Sequence, residues 1–357
     1  MNILYENQKL PQDLETIVKK NQCGFLRINN ENYFIAPKIS NDDKTNQKIF
    51  IYMLLFAYDI KISNEDLAKF QNQEFKIFEL FIRYFAENLL EQLKKGVYKS
   101  YITNEENLKV LKGSYLIEKN FTNFHHQNIY CKFDEFSMDN DLNRFFLFAI
   151  DIFLKYSSYE NLHKCKMVFD EVEKINVDIN RLNIHFDRLN QRYKKFFELA
   201  ILVLKSLVSD IKDANENSFA FLFDMAEVFE KFVGNIYKKL DPNVKLQSQK
   251  NFGNLQLKPD IIYNNTIIDT KYKIVKNRDD LATNDKYQMF TYGINFNIRN
   301  TMLLYPKHLF DIKEDLKLGM RDNLVELKMR SLDLNFDGSY EEFIEKIKIK
   351  MEELRCL

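Results

Sequence analysis

Apolar residues recur along this chain with two different periods. Over residues 75–95, Phe78, Phe81, Ile82, Phe85, Leu89 and Leu93 fall three or four apart, which predicts a helix with one core-facing stripe, closed by Gly96. Residues 142–155 and 193–208 repeat that spacing, and a charged helix over 162–174 lies between them. Earlier, residues 17–37, centred on the segment CGFLRINNENYFIAPK, alternate in short runs about Asn29-Asn30 and predict a small β module. The longest apolar stretches, 49–58 and 199–208, are interrupted or too short to span a bilayer and read as core helices. The polar run SDIKDANENS at 209–218 predicts a linker, dividing the chain into 1–210 and 211–357.

The second half changes character. Residues 223–240, FDMAEVFEKFVGNIYKKL, predict a helix on which Asp224 and Glu227 form a capping box. A hairpin follows within 258–273, and residues 285–293 predict a short helix with Asp285 near its cap and Gly293 at its end. Strands are expected at 300–305, ended by Pro306, and at 325–334. Ser339 with Glu342 should cap a final amphipathic helix running to about residue 354. The sum is an α+β or α/β chain, with a small β module and helices first and a mixed sheet flanked by helices after them.

Candidate chemistry sits in that hairpin, KPDIIYNNTIIDTKYK. The Asn264-Asn265 turn tolerates positive φ, so a two-residue connection would set Tyr263 against Thr266, Ile262 against Ile267 and Ile261 against Ile268. Asp260 then faces Asp269, and the two-residue period puts Lys271 on the face of Asp269. Directly opposed like charges destabilise a hairpin unless a cation compensates them, and a hard divalent ion such as Mg²⁺ suits carboxylate oxygens. Phosphodiester hydrolysis needs that combination: carboxylates to hold metal, and a lysine to contact the attacking water or the phosphate. Glu230, one turn beyond the capping box and at the edge of an apolar face, is the candidate third metal ligand. Gln288 and Tyr292, four apart on one helix face, could support the site with hydrogen bonds.

Charge and cysteine usage narrow the function further. Across 357 residues, 52 basic side chains balance 52 acidic ones, so no global field draws the chain to DNA. Residues 245–286 do carry eight Lys or Arg against five Asp, a local surplus that suits phosphate contacts but calls for a partner to load DNA. Cys23, Cys131, Cys165 and Cys356 form no C-x-x-C pair, which argues against a zinc or iron–sulfur clamp and for a reducing, cytoplasmic setting. His125-His126 lacks acids at ligand spacing and reads as a loop or strand edge. No phosphate loop and no signal peptide are legible, so the chain is not expected to hydrolyse nucleotide itself.

A glutamate on a helix, then P-D, D-x-K and Q-x-x-x-Y, resembles the PD-(D/E)xK nuclease superfamily in its RecB-like form, and more narrowly the McrC family of McrBC-type 5-methylcytosine restriction systems. Looser similarity covers Ala36-Pro37-Lys38-Ile39, Met53 to Tyr58, Gly96 to Tyr101, Leu111 to Ser114 and Cys131 to Ser137 with Asn143-Arg144. It resumes at Leu222 to Met225, Phe229-Glu230 and Leu304-Tyr305-Pro306. Two departures are visible: the gap between the aspartates is cut to the Asn-Asn turn, and no arginine follows Gly113. The resemblance implies a restriction-endonuclease-like domain over 211–357 and a partner-docking domain over 1–210. It implies catalysis by Asp260, Asp269, Lys271, Glu230, Gln288 and Tyr292, with Mg²⁺, or Mn²⁺ in its place, on Asp260, Asp269 and Glu230. The implied partners are an McrB-like AAA+ GTPase, which the chain would stimulate, and modified double-stranded DNA, with no membrane. Two other readings stay open: a non-catalytic activator of the motor, and a free-standing RecB-like repair nuclease.

Overall fold

The computed structural model describes residues 2–6, 8–29, 31–61, 76–124, 127–208 and 218–356. Asn30, the His125-His126 pair and the expected linker, apart from Ser218, lie outside these residues. The chain divides into two compact units, one made of 1–75 with 206–357, the other of 76–205. Among the described residues, no helix is long and apolar enough to cross a membrane.

The first unit begins with β1 (Asn2–Tyr5), β2 (Gln22–Ile28), β3 (Glu31–Ala36) and α1 (Asp43–Ala57). Strands β2 and β3 form the expected hairpin, with Asn29 at φ 50° in its turn. Asp42 caps α1 by accepting from Thr45 N at 2.7 Å, and residues 49–57 are buried on every side of the helix, as their unbroken apolar run requires.

The second unit holds α2 (Lys76–Lys94), β4 (Ser100–Leu108), β5 (Ser114–Tyr115), β6 (Ile129–Ser137), α3 (Asp141–Phe153), α4 (Glu160–Val168) and α5 (Lys194–Ser206). The stripe on α2 is core, as its spacing predicts: Phe85 meets Phe146 and Phe153 of α3 at ring-centroid distances of 6.2 and 5.2 Å. Strands β4 and β6 pair antiparallel from Ser100 opposite Ser137 to Leu108 opposite Ile129, a ribbon that hydrophobic periodicity did not predict.

The chain then returns to the first unit through β7 (Leu207–Val208), β8 (Phe219–Asp224), α6 (Met225–Leu240), β9 (Lys245–Leu246), β10 (Lys250–Phe252) and β11 (Leu255–Leu257). Next come β12 (Ile261–Tyr263), β13 (Thr266–Thr270), α7 (Thr283–Asn295), β14 (Asn300–Pro306), β15 (Lys313–Leu318), β16 (Val325–Leu332) and α8 (Tyr340–Cys356). One sheet runs β1-β3-β2-β8-β7 and a second runs β15-β16-β14-β13-β12-β9. In the second, β13, β14 and β16 are parallel while β9, β12 and β15 join antiparallel, giving the mixed sheet expected. Helix α7 covers one face with Met289 and Tyr292 over Ile267, Leu303 and Leu327. Rings from α6 and α8 pack together through Phe232 and Phe343, and Tyr237 of α6 reaches Tyr263 of β12.

A division at residue 210 therefore does not follow the compact units. Strand β2 pairs with β8 from Gln22 opposite Asp224 to Arg27 opposite Phe219, so the N-terminal β segment belongs with the C-terminal half and the helical unit is inserted between them. The pairing partner of a strand lies almost two hundred residues away here, beyond the reach of local pattern.

Candidate active site

The hairpin forms in the register that the turn dictates. Asn264 and Asn265 take φ of 44° and 56°, and Ile261, Ile262 and Tyr263 stand opposite Ile268, Ile267 and Thr266. Continuing that register brings Asp260 beside the end of β13, where its Oδ2 accepts from Thr270 N at 2.8 Å and from Thr270 Oγ1 at 2.9 Å. Asp269, on a strand inside the sheet, is only 1% exposed. Lys271 Nζ lies 2.7 Å from Asp269 Oδ2 and also donates to Gln288 Oε1 at 2.9 Å. Gln288 Nε2 in turn donates to Asp269 Oδ1 at 3.2 Å and contacts the Tyr292 hydroxyl at 3.0 Å, and that hydroxyl donates to the Lys258 carbonyl at 3.1 Å. Asp269, Lys271, Gln288 and Tyr292 thus form one network across β13 and α7.

The electrostatics are those of a site with a charge to be compensated. Burial, and then the neighbouring charge of Asp260, push the Asp269 carboxyl up to about 7, against the pull of Lys271. Burial opposes the charge on Lys271, but Asp269 outweighs it and holds the ammonium above its ordinary range. Glu230 is raised by burial and by Asp260 as well. Tyr292 is raised chiefly by burial.

Glu230 lies on α6, whose start is capped by the Asp224 carboxylate accepting from Ala226 N at 2.8 Å. The reciprocal half of the expected capping box is replaced: Glu227 pairs with Lys231 at 2.9 Å, one turn on. Glu230 accepts instead from Gln247 Nε2 at 2.5 Å, and Gln247 N donates to the Asp260 carbonyl at 2.7 Å, so Gln247 ties the glutamate to the backbone of Asp260, just before β12. Among the described residues, no three His, Cys, Asp or Glu side chains close into a ready-made metal cage, and Glu230 is not drawn into one with the aspartates. The donor chemistry nonetheless fits a hard divalent cation. Asp269 Oδ2 is buried without a well-directed hydrogen bond, and the Asp260 charge lies close enough to raise the Asp269 pKa.

Helix α7 differs from its sequence reading. It starts at Thr283 and runs past Gly293 to Asn295, because Gly293 faces the sheet: a Cβ there would lie 2.8 Å from both methyl carbons of Val325. Asp285 lies in the first turn, near the cap as expected, and is buried there, where it takes Lys273 Nζ at 2.8 and 3.2 Å. Lys273 and Gln247 were not singled out in the sequence. The two-residue step from Lys271 marked Lys273, whereas nothing local marked Gln247.

A mixed sheet flanked by helices, with two aspartates and a lysine gathered at neighbouring strand ends, defines a chain of the restriction-endonuclease-like class. The chain belongs to the McrBC 5-methylcytosine restriction system component family, whose model matches residues 17–306. Comparison with curated proteins returns no match. Among solved structures, the chain is similar to one in a refined half-complex from the tetradecameric assembly of Thermococcus gammatolerans McrB AAA+ hexamers with bound McrC. Identity there is 21%, over 93% of this chain and 83% of that one, with a TM-score of 0.47. A second, from the cryo-EM structure of the Thermococcus gammatolerans McrBC complex, is 27% identical over 61% of this chain and 66% of that one, with a TM-score of 0.42.

Proposed function

We propose that this chain is the Mg²⁺-dependent DNA endonuclease subunit of an McrBC-type, modification-dependent restriction complex, and that it binds and stimulates an McrB-like AAA+ GTPase. The observation that carries the reading is the buried Asp269 carboxylate joined to Lys271 and Gln288 beside Asp260.

Asp260 and Asp269 would hold the cation, with Glu230 reaching it after release from Gln247; Mn²⁺ would fit the same oxygens. When bound, a divalent cation polarises the phosphodiester and lowers the pKa of water. Lys271, kept charged by Asp269 and aimed by Gln288, would place its ammonium at the attacking water or at a non-bridging phosphate oxygen. Tyr292 fixes Gln288 against the Lys258 carbonyl, so α7 and the hairpin hold the lysine jointly. Removing the lysine leaves the fold and removes the charge that stabilises the transition state.

Partner binding follows from the family and agrees with the surface of the second unit. Tyr101 and Phe136, paired across β4 and β6 with ring centroids 5.2 Å apart, are 76% and 58% exposed, and Phe121 and Phe124 nearby in sequence are 85% and 92% exposed.

Plasmid cleavage tests the proposal. Methylated and unmethylated DNA would be incubated with the chain and Mg²⁺, with and without the motor and GTP, alongside Asp269→Ala. Cutting of methylated DNA by the complete mixture, abolished in the variant, is the expected result. GTPase stimulation without cutting by the wild type would make the chain a non-catalytic activator, and cutting without any motor would make it a free-standing nuclease.

A further inference from the structure

An open groove of about 840 Å³ lies in the first unit beside the candidate site. Lys9, Lys19 and Lys20 line it from the segment between β1 and β2, and Lys273 lines it from the segment after β13. The first three lysines are exposed. Among the described residues, two carboxylates, Glu6 and Glu15, share this lining. Glu6 is buried and accepts from the Tyr272 hydroxyl at 2.6 Å, and Glu15 is exposed. Lys273 is matched by Asp285. The described lining thus carries four lysines against two glutamates, a surplus of cations in a chain whose formal net charge is zero.

Its position ties it to the catalytic elements. Lys273 links the groove, through Asp285, to the helix that presents Gln288 and Tyr292. Asn21, another lining residue, accepts from Met225 N at 2.9 Å through its carbonyl, at the start of the helix that carries Glu230. Its side-chain amide donates to the Tyr272 carbonyl at 3.4 Å, next to Lys271. One asparagine thus joins the groove to both elements that present the candidate ligands and the lysine.

We propose that this groove carries the sugar-phosphate backbone of the substrate DNA next to the scissile phosphate, with Lys9, Lys19 and Lys20 neutralising phosphates. The direction of the strand toward Lys271 rests on the nuclease reading; the binding itself does not. Lysine contacts to phosphates position a duplex without reading its sequence, which suits a subunit whose target is chosen elsewhere in the complex. The groove makes the N-terminal segment part of the substrate site, a role separate from the insertion that exposes aromatic residues on β4 and β6.

The test is fluorescence anisotropy of a short labelled duplex with the full chain in EDTA, over a series of salt concentrations. The variants are Lys9→Gln/Lys19→Gln/Lys20→Gln and, as a control with equal charge change, Lys94→Gln/Lys313→Gln/Lys317→Gln. The groove variant should bind about ten-fold more weakly, and its log affinity should fall less steeply with log salt, by about two to three units of slope. The control should match the wild type. Equal affinity and slope in the groove variant, or no salt-dependent binding by the wild type, would overturn the proposal. Cleavage by the motor complex is read in parallel. Wild type that binds through these lysines but never cuts keeps the groove and removes the nuclease reading. Wild type that cuts, with a groove variant that binds and cuts equally well, does the reverse.

Discussion

Gln288 Oε1 accepts from Lys271 Nζ at 2.9 Å, a bond between residues 17 apart in sequence, one just beyond the central strand β13 and one on the helix above it. The same side chain donates to Asp269 at 3.2 Å, so a single amide holds both members of the ion pair.

Gln288→Ala should therefore loosen Lys271 without removing any charge. Groups that orient the residues around a metal site are typically worth ten- to a hundred-fold in activity, and a loss of about that size in kcat/KM of the motor complex is expected. Unchanged kinetics would take Gln288 out of the site.

The raised pKa of Asp269 has a consequence for metal-free stability. Its carboxyl titrates at about 7 in the fold against 3.8 as the ordinary value, so between those limits the folded state holds a proton that the unfolded state has lost. Stability in EDTA should thus be highest at the acid end of that window and decline as pH rises through it. Urea denaturation at several pH values, compared with Asp269→Asn, reads the effect; a variant with the wild-type slope would contradict it.

Tyr272, beside Lys271 in sequence, is buried and donates to Glu6 of the N-terminal segment at 2.6 Å, with His308 packed edge-on at 4.8 Å between centroids. Tyr272→Phe leaves that buried carboxylate short of a donor and should destabilise the protein by about 1–3 kcal/mol. Chemical denaturation of the full chain measures it, and a change within experimental error would show the bond to be dispensable.

Gly293 gives a steric prediction. Alanine there meets Val325 and should cost about 1–3 kcal/mol, lifting α7 from the sheet and weakening cleavage through Gln288. Val325→Ala in the same chain should restore much of both. A double variant no better than the sum of its parts would assign the loss to something other than this contact.

The hairpin was legible because its determinants are local: two asparagines that accept positive φ, β-branched runs on either side and a strict two-residue period. The same holds for the Ser339–Glu342 capping box, in which Ser339 N donates to Glu342 at 2.8 Å and Glu342 N returns to Ser339 Oγ at 3.3 Å. Gly293 was misread as the end of its helix, while Asp285 stands in the first turn as its position suggested. A glycine near a helix end suggests a cap, whereas here it admits a neighbouring strand; and the acid in the first turn is buried, where it pairs with the exposed Lys273.

By itself, then, the order of residues determined the turn, the register of Asp260 against Asp269 and the apolar faces of the helices, which depend on neighbours within a few positions, and the family, whose motifs are spread along the chain. Tertiary structure alone decided that β2 would pair with β8 and make an insertion of the helical unit. It also decided that Gln247 would hold Glu230, and that lysines near the N-terminus would line a groove beside Tyr272. Those relationships join segments far apart in the chain, where the gain from burial and pairing depends on what the rest of the fold brings within reach.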